Sequence, residues 1–208
     1  MIDRSDPLST TETGLGRAGV FVDERVSALQ SSYLNISYRD PAAVAALARL
    51  RRGVGKRPGE LLDLLEFTTV PWFVDGDAAG DEEWAVHVAL TLFSVHQQSR
   101  GERMHQRGRG LGQALRSLHS GDQKSLPDPL MRRFRMLGTA DDFTEFTHHL
   151  RGVVQLLRTG GAPLDYGVLT DQLVDWQRGH RSRVQLTWGR QFHRTRRTAE
   201  PVDASRKD

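Results

Sequence analysis

The sequence has no cysteine, which excludes disulfides, zinc–thiolate sites, iron–sulfur clusters and thiol catalysis together. Lysine is scarce: only Lys56, Lys124 and Lys207 among 29 basic residues. Basic character is therefore carried by arginine, whose planar fork grips phosphate at two points where lysine offers a point charge. A GC-rich genome produces the same bias, so position has to decide what the arginines are for. Aromatics make up 7% and fall on apolar stripes rather than between the arginines, so no base-stacking platform is evident. No run approaches the roughly 20 apolar residues of a membrane-spanning helix. The first residues, MIDRSDPLSTTETG, lack the apolar stretch of a signal peptide. A soluble, cytoplasmic protein with no membrane partner is expected.

A local absence is more informative. From Pro58 to Ser99 there is no lysine or arginine, but there are eight acids: Glu60, Asp63, Glu66, Asp75, Asp77, Asp81, Glu82 and Glu83. The sign then reverses. Between Gln97 and Arg116 stand Arg100, Arg103, Arg107, Arg109 and Arg116 against the single acid Glu102, separated by Gly101, Gly108, Gly110 and Gly112. Such an arginine loop running into the helix start LGQAL is expected to meet phosphate rather than to sit in a core.

What is present in quantity is helical periodicity. Val22, Val26, Leu29 and Tyr33 recur at helical spacing, and so do Phe143, Phe146, Leu150, Val153 and Leu157. The same holds for Tyr166, Leu169, Leu173 and Trp176, and for Val184, Trp188 and Phe192. Asp40-Pro41 is a helix start, Asp capping free N–H groups and Pro fitting the first turn. In the helix that follows, Val44, Leu47 and Leu50 are expected to face inward. The segment EEWAVHVALTLFSVHQQ is the candidate central helix. Few stretches alternate with period two, and no repeat recurs. The expected fold is all-α, with roughly eight or nine helices. Residues 1–16 are read as a disordered tail, 17–195 as one helical domain with lobes 17–98 and 99–195, and 196–208 as a second disordered tail.

No catalytic constellation emerges. The eight histidines make no two-turn metal pair, and adjacent His148 and His149 diverge by about 100° on a helix. His87 and His96 fall in the apolar helix and read as core or interface residues. The run GRGLGQAL follows no strand and lacks a Lys-Ser or Lys-Thr, so a nucleotide loop is not indicated. No catalytic residue, metal or cofactor is expected. Basic clusters remain at 49–57, 100–116, 132–135 and 178–197, the last with seven arginines and no acid. Together they point to backbone contact with nucleic acid without sequence reading. The candidate contacts are Arg51, Arg52, Lys56, Arg57, Arg107, Arg109, Arg116, Arg132, Arg133 and Arg135. A helical transcription regulator or, further off, a metal-dependent helical hydrolase are the alternatives.

Six segments in order carry a resemblance: ALARLRRG, LFSVHQQ, GLGQAL, MRRFRMLGTA, HHLRGVVQLLR and LDYGVLTDQLVDWQ…VQLTWGRQF. Over about Pro41 to Arg194 the chain resembles the CasB family, the small subunits of the type I-E CRISPR surveillance complex Cascade. That resemblance implies a non-catalytic all-helical protein, present as two copies beside the backbone and large subunits. It implies partners in guide RNA and in the target and displaced non-target DNA strands, within an R-loop formed during antiviral defence. Base pairing with the guide reads sequence in such complexes, and protein contacts can tip a nearly balanced strand exchange. By the same resemblance Arg51 and Arg52 match a basic pair at a helix end, and Arg132 and Arg133 a second pair. Arg107, Arg109 and Arg116 flank an element that is basic in relatives, while Gln113 stands where some relatives have a basic residue.

Overall fold

The computed structural model describes residues 14–35, 40–72, 79–118 and 128–193. The expected tails before Gly14 and after His193, and most of the loop around Asp75, lie outside the described residues. Among the described residues there are nine α-helices and no strand: α1 (Arg17–Tyr33), α2 (Pro41–Arg52), α3 (Leu65–Thr68), α4 (Asp81–Gln97), α5 (Leu111–Ser117), α6 (Asp128–Thr139), α7 (Phe143–Thr159), α8 (Tyr166–Gln177) and α9 (Arg181–His193). A 3-10 turn, Leu62–Leu64, leads into α3. The fold is all-α. No described helix is long and apolar enough to cross a membrane.

Helix α4 is the centre. Every residue from Ala85 to Gln97 is buried, and α1, α2, α7 and α8 pack around it. A helix apolar on all sides has no wet face to offer, so it is covered on all sides. Several of its polar side chains find partners. Thr91 and Ser94 donate to carbonyls of the preceding turn, and His96 Nδ1 meets the Tyr166 hydroxyl at 3.0 Å. Burial pulls the His96 imidazole down to about 3, so it sits in the core uncharged.

The surrounding helices follow their stripes. Phe146, Leu150, Val153 and Leu157 of α7 are fully buried, and Phe146 stacks on Trp176 and Trp188 at centroid distances of 4.8 and 5.9 Å. Asp40, Asp142 and Asp165 cap α2, α7 and α8. In α2 the inward face differs from expectation: Ala43 and Ala46 are buried with Leu47 and Leu50, and Val44 is exposed. Small side chains let α2 lie close to α4, and Val44 falls off that contact. Packing onto this body also involves residues before Arg17. Leu15 is buried, and Asp171 of α8 accepts from the Gly16 and Gly19 amides at 2.8 and 2.9 Å. A Cβ at Gly19 would collide with that carboxylate, so glycine makes the approach possible. Burial raises the Asp171 carboxyl to about 6.

Candidate nucleic-acid interface

Helices α6 and α7 lie against each other and fix the main basic surface. Leu130 and Leu137 anchor the inner face of α6, and Phe134 stacks on Phe192 of α9 at 4.6 Å. That leaves Arg132, Arg133 and Arg135 exposed. On α7 the side opposite the apolar stripe carries His148, Arg151 and Gln155. Between the two helices runs a groove of about 500 Å³, lined by Arg132, Arg133, Met136, His148, His149, Arg151, Gly152 and Gln155. Arg133 lies across α7 at Gly152, where a Cβ would meet its guanidinium. A glycine inside a helix costs about 0.5–1 kcal/mol relative to alanine, and here it makes room for an arginine.

The groove continues in both directions. Arg132 and Met136 are shared with a shallow extension that reaches Arg135 and Thr139. His148 and Arg151 are shared with a hollow beside the loop after α2, where Lys56 and Arg57 stand. That loop is set by Gly53, which ends α2, and by Gly55 at φ +80°. Three segments distant in sequence thus supply Lys56, Arg57, Arg132, Arg133, Arg135, His148 and Arg151 to one surface. Among the described residues no carboxylate lines it. Two acids stand at its margin: Glu145 faces His149 at 3.4 Å, and Glu60 sits 3.6 Å from Lys56 while accepting the Arg57 amide, so Lys56 is partly neutralised.

The remaining candidates do not line this groove. Arg52 pairs with Asp63, as its neighbour Arg49 does with Glu66. Arg51 is half-buried at the end of α2. The acid-rich segment that looks segregated in sequence folds back onto arginines, and Glu82 likewise accepts from Arg17, Arg178 and the Trp72 indole.

The arginine loop at 98–110 is held rather than open. The buried Gln97 side chain donates to the Arg100 and Glu102 carbonyls and accepts from the Met104 amide. Backbone bonds join Met104, Gln106 and Arg109 to Leu164 and Asp165. Arg107 grips the buried Asp23 carboxylate, with Nε 3.0 Å from both oxygens, and His105 Nε2 lies 3.0 Å from the same group. Burial pushes the Asp23 carboxyl up, but the Arg107 and His105 partners outweigh it and hold it below the ordinary carboxylate value. Arg109 and Arg116 are half-buried.

In GRGLG, Gly108 supplies a positive φ of 76°, and Gly110 and Gly112 serve packing. A Cβ at Gly112 would strike the Trp188 carbonyl of α9, and the Gly110 and Gly112 amides donate to Gln113 and Gln191. The Gly108, Gly110 and Gly112 amides are thus already bonded within the protein.

Asp23, His105 and Asp165 bring three ligand-type atoms within 4.8 Å of one another. Each already has protein partners: Asp165 accepts from Gly108 and Val168, and His105 Nδ1 accepts from the Tyr166 amide. This is a hydrogen-bonded knot joining α1, the loop and α8. Sequence reading missed it, since its members lie 60 or more residues apart. It also missed Arg151, whose signal was its place with His148 and Gln155 on the polar side of α7.

The profile of the CRISPR-associated protein Cse2 family matches residues 46–193. The chain belongs to the Cse2 family. CasB from Thermobifida fusca is 42% identical, with a TM-score of 0.71 over 86% of this chain and 99% of that one. CasB from Thermus thermophilus is 25% identical, with a TM-score of 0.62 over 84% and 96%. A chain of a CRISPR RNA-guided surveillance complex, 22% identical at a TM-score of 0.60 over 83% and 93%, shares the fold. Among curated proteins none matches. The Cse2 match spans all three segments that build the groove.

Proposed function

We propose that this Cse2-family protein is the non-catalytic small subunit of a type I-E Cascade complex in the cytoplasm. In that role it steadies the guide RNA–target DNA hybrid and the displaced strand by arginine–phosphate contact. The carrying observation is the groove between α6 and α7, lined by no carboxylate among the described residues, in which cations from three chain segments converge. Arginines on a helical frame neutralise phosphates, release counterions and leave sequence to base pairing. Lys56, Arg57, Arg132, Arg133, Arg135 and Arg151 are the contacts assigned to it. Arg51, Arg52, Arg107, Arg109 and Arg116 keep a lesser part, because they are paired or half-buried or lie off the groove. The assembly with a second copy, with the backbone and large subunits and with guide RNA belongs to the same proposal, supported by the relatives' names and by the shared fold.

The test is the full chain with Arg132, Arg133 and Arg151 replaced by alanine. Affinity for a single-stranded oligonucleotide at low salt is expected to fall about 100-fold. The slope of log affinity against log salt should shrink by about two, as expected for three lost phosphate contacts. Thermal unfolding should be unchanged, since all three side chains are exposed. Equal affinity in the triple variant would sink the proposal.

A further inference from the structure

Where the groove meets the loop after α2, a smaller hollow of about 140 Å³ opens between that loop, α4 and α7. Its chemistry differs from the groove's. Trp84, Val88 and Leu92 of α4 and Val54 of the loop form an apolar wall. Neutral hydrogen-bonding groups share the lining: Thr91, Thr144, Thr147 and His87. His87 is 2% exposed, its Nε2 lies 3.2 Å from the Gly53 carbonyl, and its Nδ1 is buried without a partner. The cations Lys56, Arg57 and Arg151 are all exposed, so they stand at the mouth. Arg57 also lies over the Trp84 ring at 5.8 Å, which ties the loop to α4.

A phosphate suits the mouth and not the interior. Inside, it would lose hydration against apolar side chains, and burial keeps the His87 imidazole from charging to meet it. A nucleobase has the opposite needs: an apolar wall for its face, a few neutral groups for its edge, and cations just outside for its own phosphate. We propose that this hollow receives one unstacked nucleobase of a single strand whose phosphates follow the groove. The ring lies against Trp84, Val88 and Leu92, and its edge turns toward the His87 and threonine side. The inference rests on the reading of the groove given above and adds a selectivity that phosphate contact lacks. A paired, stacked base cannot enter without being flipped, so the site favours single strands over duplex.

The experiment compares two probes on the full chain: a 12-residue oligothymidylate and an abasic phosphodiester of equal length and charge. Oligothymidylate is expected to bind about tenfold more tightly, the scale of one well-placed base contact, with the same salt slope for both. A Thr147→Trp variant, which fills the hollow from a half-exposed position, should bring oligothymidylate down to the abasic affinity and leave the abasic affinity alone. The ¹⁵N resonance of His87 Nδ1 should shift with oligothymidylate and not with the abasic chain. Equal affinities with an intact salt slope overturn the hollow and leave the groove standing. Absence of salt-dependent binding by either probe overturns the groove and the hollow with it.

Discussion

The arginine loop at 98–110 and the groove between α6 and α7 are equally basic on paper and opposite in structure. In the loop, Arg107 is consumed by Asp23, a carboxylate 84 residues earlier, and Gly110 and Gly112 are in close contact with α9. In the groove, Arg132, Arg133 and Arg151 have no acid among the lining residues. A cluster of like charges along a chain therefore says little until its partners are known. What separates a structural arginine from an available one is a buried carboxylate brought in from afar.

Four substitutions sharpen this contrast. The largest effect is expected from Gly112→Ala, which drives a Cβ into the Trp188 carbonyl. Backbone yields poorly, so a loss of about 1–3 kcal/mol in chemical denaturation is expected, the scale of overpacking. Arg107→Ala should follow. It leaves the Asp23 carboxylate buried with His105 as its remaining side-chain partner, at a cost of about 1–2 kcal/mol once the exposure of the guanidinium is discounted. Oligonucleotide affinity should change far less than in the groove triple variant. If Arg107→Ala instead abolishes binding at unchanged stability, the roles of loop and groove are reversed.

A smaller effect is a dependence on pH. The folded Asp23 carboxyl lies below its unfolded value near 3.8. Its contribution is therefore complete above that value and is lost as pH falls through the lower folded value. The stability difference between wild type and Asp23→Asn should be constant near neutrality and shrink only in acid below about 4. The smallest change is Gly152→Ala. The atom it meets is the tip of a flexible arginine, which can move, so α7 should gain about 0.5–1 kcal/mol while Arg133 shifts and affinity drops. A stability loss there would mean that Arg133 is fixed rather than available.

The sequence made the helices plain wherever one face was apolar. The α7 stripe from Phe143 to Leu157 and the α8 stripe from Tyr166 to Trp176 are buried as spaced. It also marked α4 as the central helix, since EEWAVHVALTLFSVHQQ has no polar side, and that helix is buried from Ala85 to Gln97. It was less informative where alanine rather than valine makes the contact, as in α2. Arg132, Arg133 and Arg135 could be placed off the core from α6 alone. Arg151 could be placed on the polar side of α7 with His148 and Gln155, but nothing joined it to the other cations until α6 lay beside it. The partnership of Asp23 with Arg107 and the pairs of Arg49 and Arg52 with Glu66 and Asp63 depend on the fold and have no local periodicity to betray them.

The carboxylate of Asp171 closes the amino end of α1 from 155 residues further along the chain. During synthesis α1 leaves the ribosome well before α8, which carries its clasp. Until α8 arrives, the Gly16 and Gly19 amides have only water, and the α1 face destined for α8 stays uncovered. Contacts of such long reach are assembled late and slow the reaction that depends on them. Docking of α1 onto α8 is therefore expected among the slower steps of folding.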